Sequence, residues 1–577
     1  MSKNNNTKMS DDIIEFVLPH LQDPADKASI SLVCHRWYEL DRLIRGHITV
    51  ALLYATTGEQ LYNRFPYIES LKLKGKPRAD AYALLPENWG GYLQPWTPSL
   101  VRFPKLKKLH LLRTIVTDTD LETLISAKGE FLVSLKLDQC SGFSTDGLLI
   151  IARTCRNLVT LVLEGSYILN PNGEWLRDLA LNNNRVLETL CFYATSIEDI
   201  NVTYLELLAK NCPLKSVKIG DTDLIRLVNF FRTTPSLQEF CGGLFSNDEN
   251  YTNFSFPVLI QSLSIMYMER VHLPMVVPVS HSLLQLDLLY ASLDSEGHCE
   301  LLSRCRNLEI LKTTTVIGDQ GLEVLALSCT RLKKLRIEHE GVNEENVEGP
   351  GLSQRGLKAI AEGCRKLEYL AIFMTNVTNE ALERVGENLS NLNDFRLVLV
   401  DGEMCEDLPL DNGIRAVLQG CRNITRFAVK LRHGGLTDTG LGYIGQFGEN
   451  IKSMLLGKVG ETDAGLLQLS NGCPKLQKLE IRPCIFTEQA LAIAATRFVS
   501  LKSLWVQGYL SSNRGTEDFL RMARPYWNIE HVPGEAYEID GITEGQPVMS
   551  TIYAYYSLAG QRTDHPSTVV PLLLPQI

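Results

Sequence analysis

The sequence contains no hydrophobic run long enough to cross a membrane. Although 45% of the 577 residues are hydrophobic, no uninterrupted apolar stretch approaches the roughly 18 residues that a transmembrane helix requires. The first residues, MSKNNNTKMSDD, are polar and lack the apolar core of a signal peptide. We therefore expect a soluble intracellular protein with no membrane partner.

Positive charge is also in short supply. The formal net charge is -10 and the isoelectric point about 5.7. Proteins that bind nucleic acid through their overall field carry the opposite charge, so we expect no nucleic-acid partner, although local basic patches remain compatible with this composition.

Motifs for catalysis and metal binding are missing. The sequence has no P-loop, no HExxH and no glycine-rich dinucleotide fingerprint after a strand, and its 11 histidines are scattered. Its 14 cysteines form no CxxC pair with zinc spacing. We expect a protein that is not an enzyme and holds no metal.

Half of the cysteines share one position in a repeated pattern. They stand two or three residues before a leucine or isoleucine, in motifs such as CRNL, CTRL and CPKL, at Cys155, Cys212, Cys305, Cys329, Cys364, Cys421 and Cys473. Because a buried cysteine packs as a small apolar residue, we expect these seven to be structural.

What the sequence has in abundance is the pattern L-x-x-L-x-L. Sixteen copies begin at Leu106, Leu132, Leu158, Leu187, Leu214, Leu237, Ile260, Leu283, Leu308, Leu332, Leu367, Leu392, Ile424, Ile451, Leu476 and Leu501, with an earlier copy at Ile68. Most spacings of 23 to 29 residues match leucine-rich repeats, in which each unit forms a strand and a helix. Because one unit cannot bury its apolar face alone, the units stack. The pattern predicts an α/β leucine-rich-repeat solenoid, a horseshoe, over residues 51–510.

Two repeats are lengthened by acidic loops at residues 338–353 and 401–412. Long loops on a solenoid often project over its binding face. The alternative is that both are ordinary solvated loops.

The first 50 residues break the repeat. DDIIEFVLPHL and KASISLVCHRWYEL have helical periodicity. Their apolar side chains, more than a short helical segment can bury, are Phe16, Leu18, Leu32, Val33, Trp37 and Tyr38. Leu18-Pro19, Asp23-Pro24 and SLVCHRWY resemble an F-box, the helical module that docks on the Skp-family adaptor of a cullin-type ubiquitin ligase. The alternative is an N-terminal helical cap; residues 511–577, where the repeat fades, are expected to form a C-terminal cap.

Cations are predicted to line the open face of the strands. In L-x-L the leucines point into the core, so the residue between them, and the residue two further on, face outward. The arginines at such positions, or beside them, are Arg78, Arg336, Arg396 and Arg482. Because clustered cations repel one another, this set favours an anionic ligand. Solvated lysines and ordinary ion pairs with the acidic loops are the alternative.

Long segments resemble one plant family. They are LKLKGKPRA, PENWGGY, FCGG, LDLLYA, VIGDQGLEVLA, SQRGL, DFRLVLV, DLPLDNG, GGLTDTGL, ARPYWNIE and YYSLAGQRTD. Together they resemble the coronatine-insensitive jasmonate receptors over almost the whole chain. The resemblance implies that the F-box joins an adaptor, cullin and RING subunit. It also implies that the solenoid binds an amino-acid-conjugated oxylipin together with the degron of a jasmonate-ZIM-domain repressor. On the same resemblance, the repressor is then ubiquitinated and degraded, and this chain supplies no catalytic residue. The resemblance implies that the chain lies in the nucleus, with the cytoplasm as a second location.

The resemblance also assigns site residues. Arg78, Arg336 and Arg396 would hold the ligand carboxylate, and Arg482 would lie near its cyclopentanone. The apolar walls would be Leu84, Ala371, Ile372, Leu455 and Trp505. An inositol polyphosphate would bind below them, through Lys72, Lys74, His110, Arg113 and Lys334.

Four positions depart from the family pattern. Tyr82 replaces a phenylalanine, Phe373 and Lys430 replace tyrosines, and Ser453 replaces a tryptophan. Losing a bonded hydroxyl at Phe373 removes roughly 1 kcal/mol, and Lys430 introduces a cation. We expect a receptor whose ligand preference is changed. The alternatives are a hormone-independent F-box adaptor and a scaffold outside any ligase.

Overall fold

The structure, a computed structural model, describes residues 24–52, 57–86, 89–182, 186–197, 200–246, 251–339, 351–400, 407–510, 516–532 and 549–556. The chain divides into two compact units. The first comprises Met1–Arg78, Glu87–Gly220 and Leu558–Ile577, and the second Ala79–Pro86 and Asp221–Ser557. Phe16, Leu18 and Pro19 of the predicted F-box lie outside the described residues, as do most of the 338–353 loop and the first half of the 401–412 loop.

Two short helices open the described part of the first unit, α1 (Pro24–Val33) and α2 (His35–Ile44). Ile30 and Leu40 form a small core against which Trp37 and Ile44 pack. Leu32, by contrast, is 85% exposed. Val33, Tyr38 and Leu43 are also exposed. The helices therefore leave an apolar surface uncovered, as their sequence predicts.

The first unit then repeats strand and helix. Its remaining helices are α3 (Gly58–Arg64), α4 (Thr97–Leu100), α5 (Asp118–Lys128), α6 (Thr145–Thr154), α7 (Glu174–Asn182) and α8 (Val202–Asn211). Its strands are β1 (His47–Ala51), β2 (Ser70–Lys74), β3 (Lys108–Leu112), β4 (Ser134–Asp138), β5 (Ser141–Ser144), β6 (Thr160–Val162), β7 (Tyr167–Leu169), β8 (Thr189–Cys191) and β9 (Ser216–Lys218). Strands β1, β2, β3, β4, β6, β8 and β9 pair in this order, all parallel, and β5 pairs with β7 in a separate small sheet.

The second unit continues the same alternation. Its helices are α9 (Val228–Thr233), α10 (Leu273–Val276), α11 (Ser295–Leu302), α12 (Gly318–Ser328), α13 (Gln354–Gly363), α14 (Asn379–Asn388), α15 (Asp411–Gly420), α16 (Asp438–Phe447), α17 (Asp463–Leu469), α18 (Glu488–Arg497) and α19 (Thr516–Ala523). Its strands are β10 (Glu239–Leu244), β11 (Ser262–Met266), β12 (Gln285–Asp287), β13 (Ile310–Thr314), β14 (Lys334–Glu338), β15 (Tyr369–Met374), β16 (Asp394–Leu399), β17 (Arg426–Lys430), β18 (Ser453–Gly457), β19 (Lys478–Ile481), β20 (Ser503–Leu510), β21 (Trp527–Val532) and β22 (Met549–Tyr556). Strands β10 to β20 pair in sequence order and parallel, whereas β22 joins β20 antiparallel and pairs with β21.

The leucine pattern builds the core of both units. Every repeat start from Ile68 to Leu501 is buried. The seven repeat cysteines are buried as well, most of them at the C-terminal cap of a helix, and burial raises the thiol pKa of Cys155, Cys305, Cys364, Cys421 and Cys473 to about 12. The predicted α/β leucine-rich-repeat solenoid and the structural role of these cysteines are confirmed.

Helix starts are tied from one repeat to the next. Thr437 caps α16, and the carboxylate of Asp438 in its first turn accepts hydrogen bonds from the backbone N–H groups of Glu461 (2.9 Å) and Thr462 (3.1 Å) at the start of the next helix. Asp463 repeats this contact with the backbone N–H of Thr487 at 2.8 Å. Each carboxylate thus satisfies donors that the following helix leaves open.

No helix in the described ranges combines the length and apolar character that crossing a bilayer requires.

Candidate functional site

One row of side chains runs across the open face of the strands in the second unit. Pairing places Arg336 beside Ala371, Ala371 beside Arg396, and so on to the last repeat strand. The members of this first row are Arg336, Ala371, Arg396, Ala428, Leu455, Glu480 and Trp505. A second row, two residues further along each strand, holds Phe373, Val398, Lys430 and Gly457. Both rows follow the alternation that the L-x-L pattern predicts.

Ile372 does not belong to this face. It pairs with Leu397 of the neighbouring strand, and both side chains are buried, Ile372 with 1% exposed. Because successive residues of a strand point to opposite sides, Ile372 faces the core when Ala371 and Phe373 face outward. Ile372 therefore does not lie on the open face with its neighbours Ala371 and Phe373.

Arg396 is held by a carboxylate of its own strand. Its Nε and Nη2 donate to the two oxygens of Asp394 at 2.8 and 2.9 Å. Asp394 is buried, and Arg426 is a second cation beside it, at 3.8 Å. The guanidinium carbon also lies 5.3 Å from the ring of Tyr369. The hydrogen bonds to Asp394 raise the pKa of Arg396 above its ordinary value.

The other two predicted site arginines of the second unit are also paired with a carboxylate. Arg336 contacts Glu338, and Arg482 contacts Glu480. Each partner is two residues away, and residues at this spacing share one face of a strand. The charge of these three arginines is therefore compensated by carboxylates two residues away in sequence. The sequence signal for these ion pairs is the acidic residue that stands two positions from each arginine.

Arg482 also lies on aromatic rings. Its guanidinium carbon is 3.2 Å from the ring centroid of Trp505 and 5.3 Å from that of Tyr82. The two rings meet edge to face with centroids 5.0 Å apart. We call Tyr82, Arg482 and Trp505 the aromatic stack. Arg482 Nε and Trp505 Nε1 are buried and have no hydrogen-bond acceptor within the described residues. Leu84, a predicted wall, is buried in the same unit.

The second row places Lys430 beside a glycine. A Cβ atom on Gly457 would lie 2.8 Å from Lys430 Cγ and 2.7 Å from the carbonyl oxygen of Arg482. The stem of Lys430 therefore leans over Gly457, where only glycine leaves room. At the other end of the row Phe373 is half-buried, with its centroid 6.5 Å from the ring of His339. Sequence reasoning singled out Lys430 and Phe373 but missed Gly457 and His339.

A cavity of about 560 Å³ opens where strands β13 to β17 begin. Its charged lining consists of Lys312, Lys334, Arg336, Glu368, Asp394 and Arg426. Lys312 pairs with Asp287 at 2.8 Å. Lys334 was predicted as a site residue, whereas Arg426 and Tyr369, which also lines the cavity, were not. Within the described ranges no cluster of three or more His, Cys, Asp or Glu side chains is arranged to hold a metal ion.

The first unit carries its own basic cluster. Lys72 pairs in register with His110, and Lys74 follows two residues along β2. His110 Nε2 lies 2.6 Å from an oxygen of Asp138, and Arg113 Nε donates to the carbonyl of Lys76 at 2.8 Å. Burial, followed by the charge of Lys74, lowers the pKa of Lys72.

The predicted residues thus fall into two groups. Lys72, Lys74, His110, Arg113 and Arg78 belong to the first unit, and the remaining site residues, including Tyr82 and Lys334, belong to the second. Within the second unit the structure brings Arg336 and Arg396 into one row and Tyr82, Arg482 and Trp505 into one stack. The convergence of Arg78 with Arg336 and Arg396, and of Lys334 with the other basic residues, stays a prediction.

Comparison with known proteins identifies the family. An F-box family model matches residues 6–47, and the model described as Transport inhibitor response 1 protein domain matches residues 66–111. Coronatine-insensitive protein 1 of Arabidopsis thaliana is 50% identical, covering 98% of this chain and 97% of that protein. The chain belongs to the coronatine-insensitive protein family. Coronatine-insensitive protein homolog 1b of Oryza sativa subsp. japonica is 49% identical over 97% of this chain and 96% of its own length.

A more distant relative is a Transport inhibitor response 1-like protein of Oryza sativa subsp. japonica, 31% identical over 97% of this chain and 99% of its own length. The F-box makes this member of the coronatine-insensitive family a receptor subunit of an SCF-type ubiquitin ligase, which binds a Skp1-type adaptor. The exposed apolar side chains of α1 and α2, Leu32 and Val33 among them, lie in the matched segment.

Proposed function

We propose that this chain is a jasmonate-type hormone co-receptor that recruits jasmonate-ZIM-domain repressors for ubiquitination and degradation. A small oxylipin conjugated to an amino acid binds the open face of the second unit and forms part of the surface that the repressor degron covers. Cullin and RING subunits, reached through the adaptor, carry out ubiquitin transfer, so the chain contributes recognition and no catalytic residue.

The observation that carries this proposal is the spacing of Arg336 and Arg396. They occupy one row with only Ala371 between them, which puts their Cα atoms about 10 Å apart at two strand spacings. Arg396 uses two of its N–H groups on Asp394, and a guanidinium has five. The remaining donors suit a carboxylate, to which each charge-assisted hydrogen bond contributes roughly 1.5–3 kcal/mol.

The apolar part of an oxylipin matches the rest of the row. Small or apolar side chains, Ala428 and Leu455, follow Arg396 toward the aromatic stack. An elongated ligand with its carboxylate at the arginines would lay its hydrocarbon portion along them and reach Arg482 with a polar group. The stretch of the row from Arg396 to Glu480, with Ala428 and Leu455 between these charged residues, has the character of a small-molecule site.

An inositol polyphosphate is the proposed cofactor. By the family resemblance, its phosphates would be bound by Lys72, Lys74, His110, Arg113 and Lys334. Two features support this: the pKa of Lys72 is lowered by burial and, after it, by the charge of Lys74, and Lys334 lines a cavity that also contains Lys312 and Arg426. A polyanion relieves such repulsion.

We propose the nucleus as the main location of this chain and the cytoplasm as a second one.

The second candidate is a hormone-independent F-box adaptor that binds its protein substrate directly. The in-strand partners of the arginines favour it, because Glu338, Asp394 and Glu480 already neutralise much of the charge that a ligand carboxylate would meet. Lys430 on the same face adds a group able to pair with an acidic substrate side chain.

The test is capture of a repressor degron peptide by the chain co-purified with its adaptor. Capture is measured with and without a panel of free and amino-acid-conjugated oxylipins, with inositol polyphosphate present throughout. Capture that depends on a conjugated oxylipin supports the co-receptor. Capture without any oxylipin supports the second candidate, and no capture by a complex that retains its adaptor overturns the degron assignment.

Two variants control the assay. Arg396→Ala is expected to abolish oxylipin-dependent capture, because the ligand carboxylate loses its central partner. Arg384→Ala removes an arginine that pairs with Glu387 on helix α14, at 2.9 Å, and is expected to leave capture unchanged. Equal capture by both variants would contradict the role given to Arg396.

A further inference from the structure

The first row does not stop at the last repeat. Trp505 pairs with Tyr553 of β22, and Tyr553 pairs in turn with Glu530 of β21. Paired residues of antiparallel strands lie on the same face of a sheet. The row of the candidate site therefore continues into the C-terminal strands, which are not part of any repeat.

Tyr553 packs directly against Trp505. The two rings meet nearly perpendicular, at 80°, with centroids 6.3 Å apart. Tyr553 is itself held, because it is buried and stacks on Tyr555 at 5.1 Å, whose hydroxyl donates to Glu530 at 3.0 Å. Trp505 thus has a rigid aromatic neighbour on the side of the C-terminal strands.

On its other side Trp505 supports the aromatic stack. The guanidinium of Arg482 lies over its ring and Tyr82 meets it edge to face. The indole is 4% exposed, and its Nε1 has no hydrogen-bond acceptor among the described residues. No hydrogen bond to a described residue therefore orients the indole, and its contacts with Tyr82, Arg482 and Tyr553 hold it in place. Tyr553 and Arg482 thus contact the same ring.

We propose that Tyr553 is a positioning residue for the ligand site: it holds the Trp505 indole, and through it the Arg482 guanidinium, where a bound oxylipin meets them. The inference rests on the proposed function for its ligand. It assigns the C-terminal strand β22 a part in ligand binding.

Three substitutions separate the ring from the fold. Tyr553→Phe keeps the ring and serves as the conservative rescue, whereas Tyr553→Leu removes the edge contact. Ile552→Val trims the neighbouring residue of β22, which is buried on the opposite, core-facing side, and controls for loosening of the strand. If Tyr553→Leu fails to fold, Tyr553→Met, which fills the space with a flexible chain, replaces it.

The first measurement is oxylipin-dependent degron affinity of the adaptor complex. Aromatic edge contacts of this kind lead us to expect an affinity loss of about 3- to 10-fold for Tyr553→Leu. Tyr553→Phe and Ile552→Val are expected to bind as the wild type does.

The second measurement needs no ligand. The six tryptophans are labelled with 5-fluorotryptophan, and the Trp505 resonance is assigned in the ¹⁹F NMR spectrum by its loss in Trp505→Phe. It is expected to shift or broaden in Tyr553→Leu and to stay in place in Tyr553→Phe and Ile552→Val.

The outcomes separate the inference from the proposed function. Joint loss of affinity and movement of the Trp505 resonance in Tyr553→Leu supports the inference. If the wild type captures the degron but Tyr553→Leu leaves either the Trp505 resonance or the affinity unchanged, the inference is overturned and the proposed function stands. If the wild type captures no degron with any oxylipin, the proposed function fails and the ligand role of Tyr553 fails with it.

Discussion

Removing Arg396 is expected to destabilise the protein more than removing Arg396 and the charge of Asp394 together. Arg396→Ala deletes two hydrogen bonds of 2.8 and 2.9 Å and leaves the Asp394 carboxylate, whose side chain is 6% exposed, without its main partner. Arg426, at 3.8 Å, then remains as its ion-pair partner among the described residues. Replacing Asp394 by Asn in the same chain removes the stranded charge.

The magnitude follows from burial. Breaking a fully buried ion pair by deleting one partner costs about 3–5 kcal/mol. Because the Arg396 side chain is 39% exposed, water reaches one end of this pair, and we expect about 2 kcal/mol for Arg396→Ala and about 1 kcal/mol for Asp394→Asn. The double variant is expected to lose about 1 kcal/mol, so that the coupling energy is about 2 kcal/mol.

Urea unfolding at neutral pH measures the four free energies, with the m values compared to verify that the same surface unfolds in each variant. The matched control is the exposed pair Arg384 and Glu387, with side chains 44% and 59% exposed, for which the same cycle should give less than about 0.5 kcal/mol. Additive losses at Arg396 and Asp394 would refute the reasoning, since the pair would then contribute nothing as a pair.

Further predictions concern packing, pH and ligand choice. Gly420→Ala should destabilise strongly, by about 2–3 kcal/mol in urea unfolding, because its Cβ would lie 1.8 Å from the Gly386 carbonyl oxygen; an unchanged midpoint would contradict the close helix contact. Burial opposes ionisation of Asp438, but hydrogen bonds from Thr462 and neighbouring N–H groups outweigh it and lower the pKa below 3.8. The stabilisation is therefore present above that ordinary value and lost as the pH falls through the folded-state pKa, so wild type and Asp438→Asn should differ in stability at pH 7 and converge in acid. Lys430→Tyr should change which oxylipin of the panel promotes degron capture best; an identical ranking would show that Lys430 does not select the ligand.

The repeat pattern by itself determined most of the fold. Regular leucines dictate strand register and the buried face, because a strand alternates its side chains and one repeat cannot bury its apolar surface alone. The buried row from Ile68 to Leu501 and the buried repeat cysteines both follow from spacing along the chain. The spacing was least informative about the two repeats that the loops at residues 338–353 and 401–412 lengthen, because there it departs from the regular period. The same alternation places Ile372, between Ala371 and Phe373, on the core side of its strand.

Only the tertiary structure decided how the site is assembled. The pairing of Arg396 with Asp394 is local in sequence, but its strength depends on burial that neighbouring strands impose. The aromatic stack joins Tyr82 to Arg482 and Trp505 across some 400 residues of sequence, and β22 adds Tyr553 from the last strand of the described chain. Contacts between residues far apart in sequence depend on how the whole chain folds back on itself, and no local propensity or spacing encodes which rings will meet.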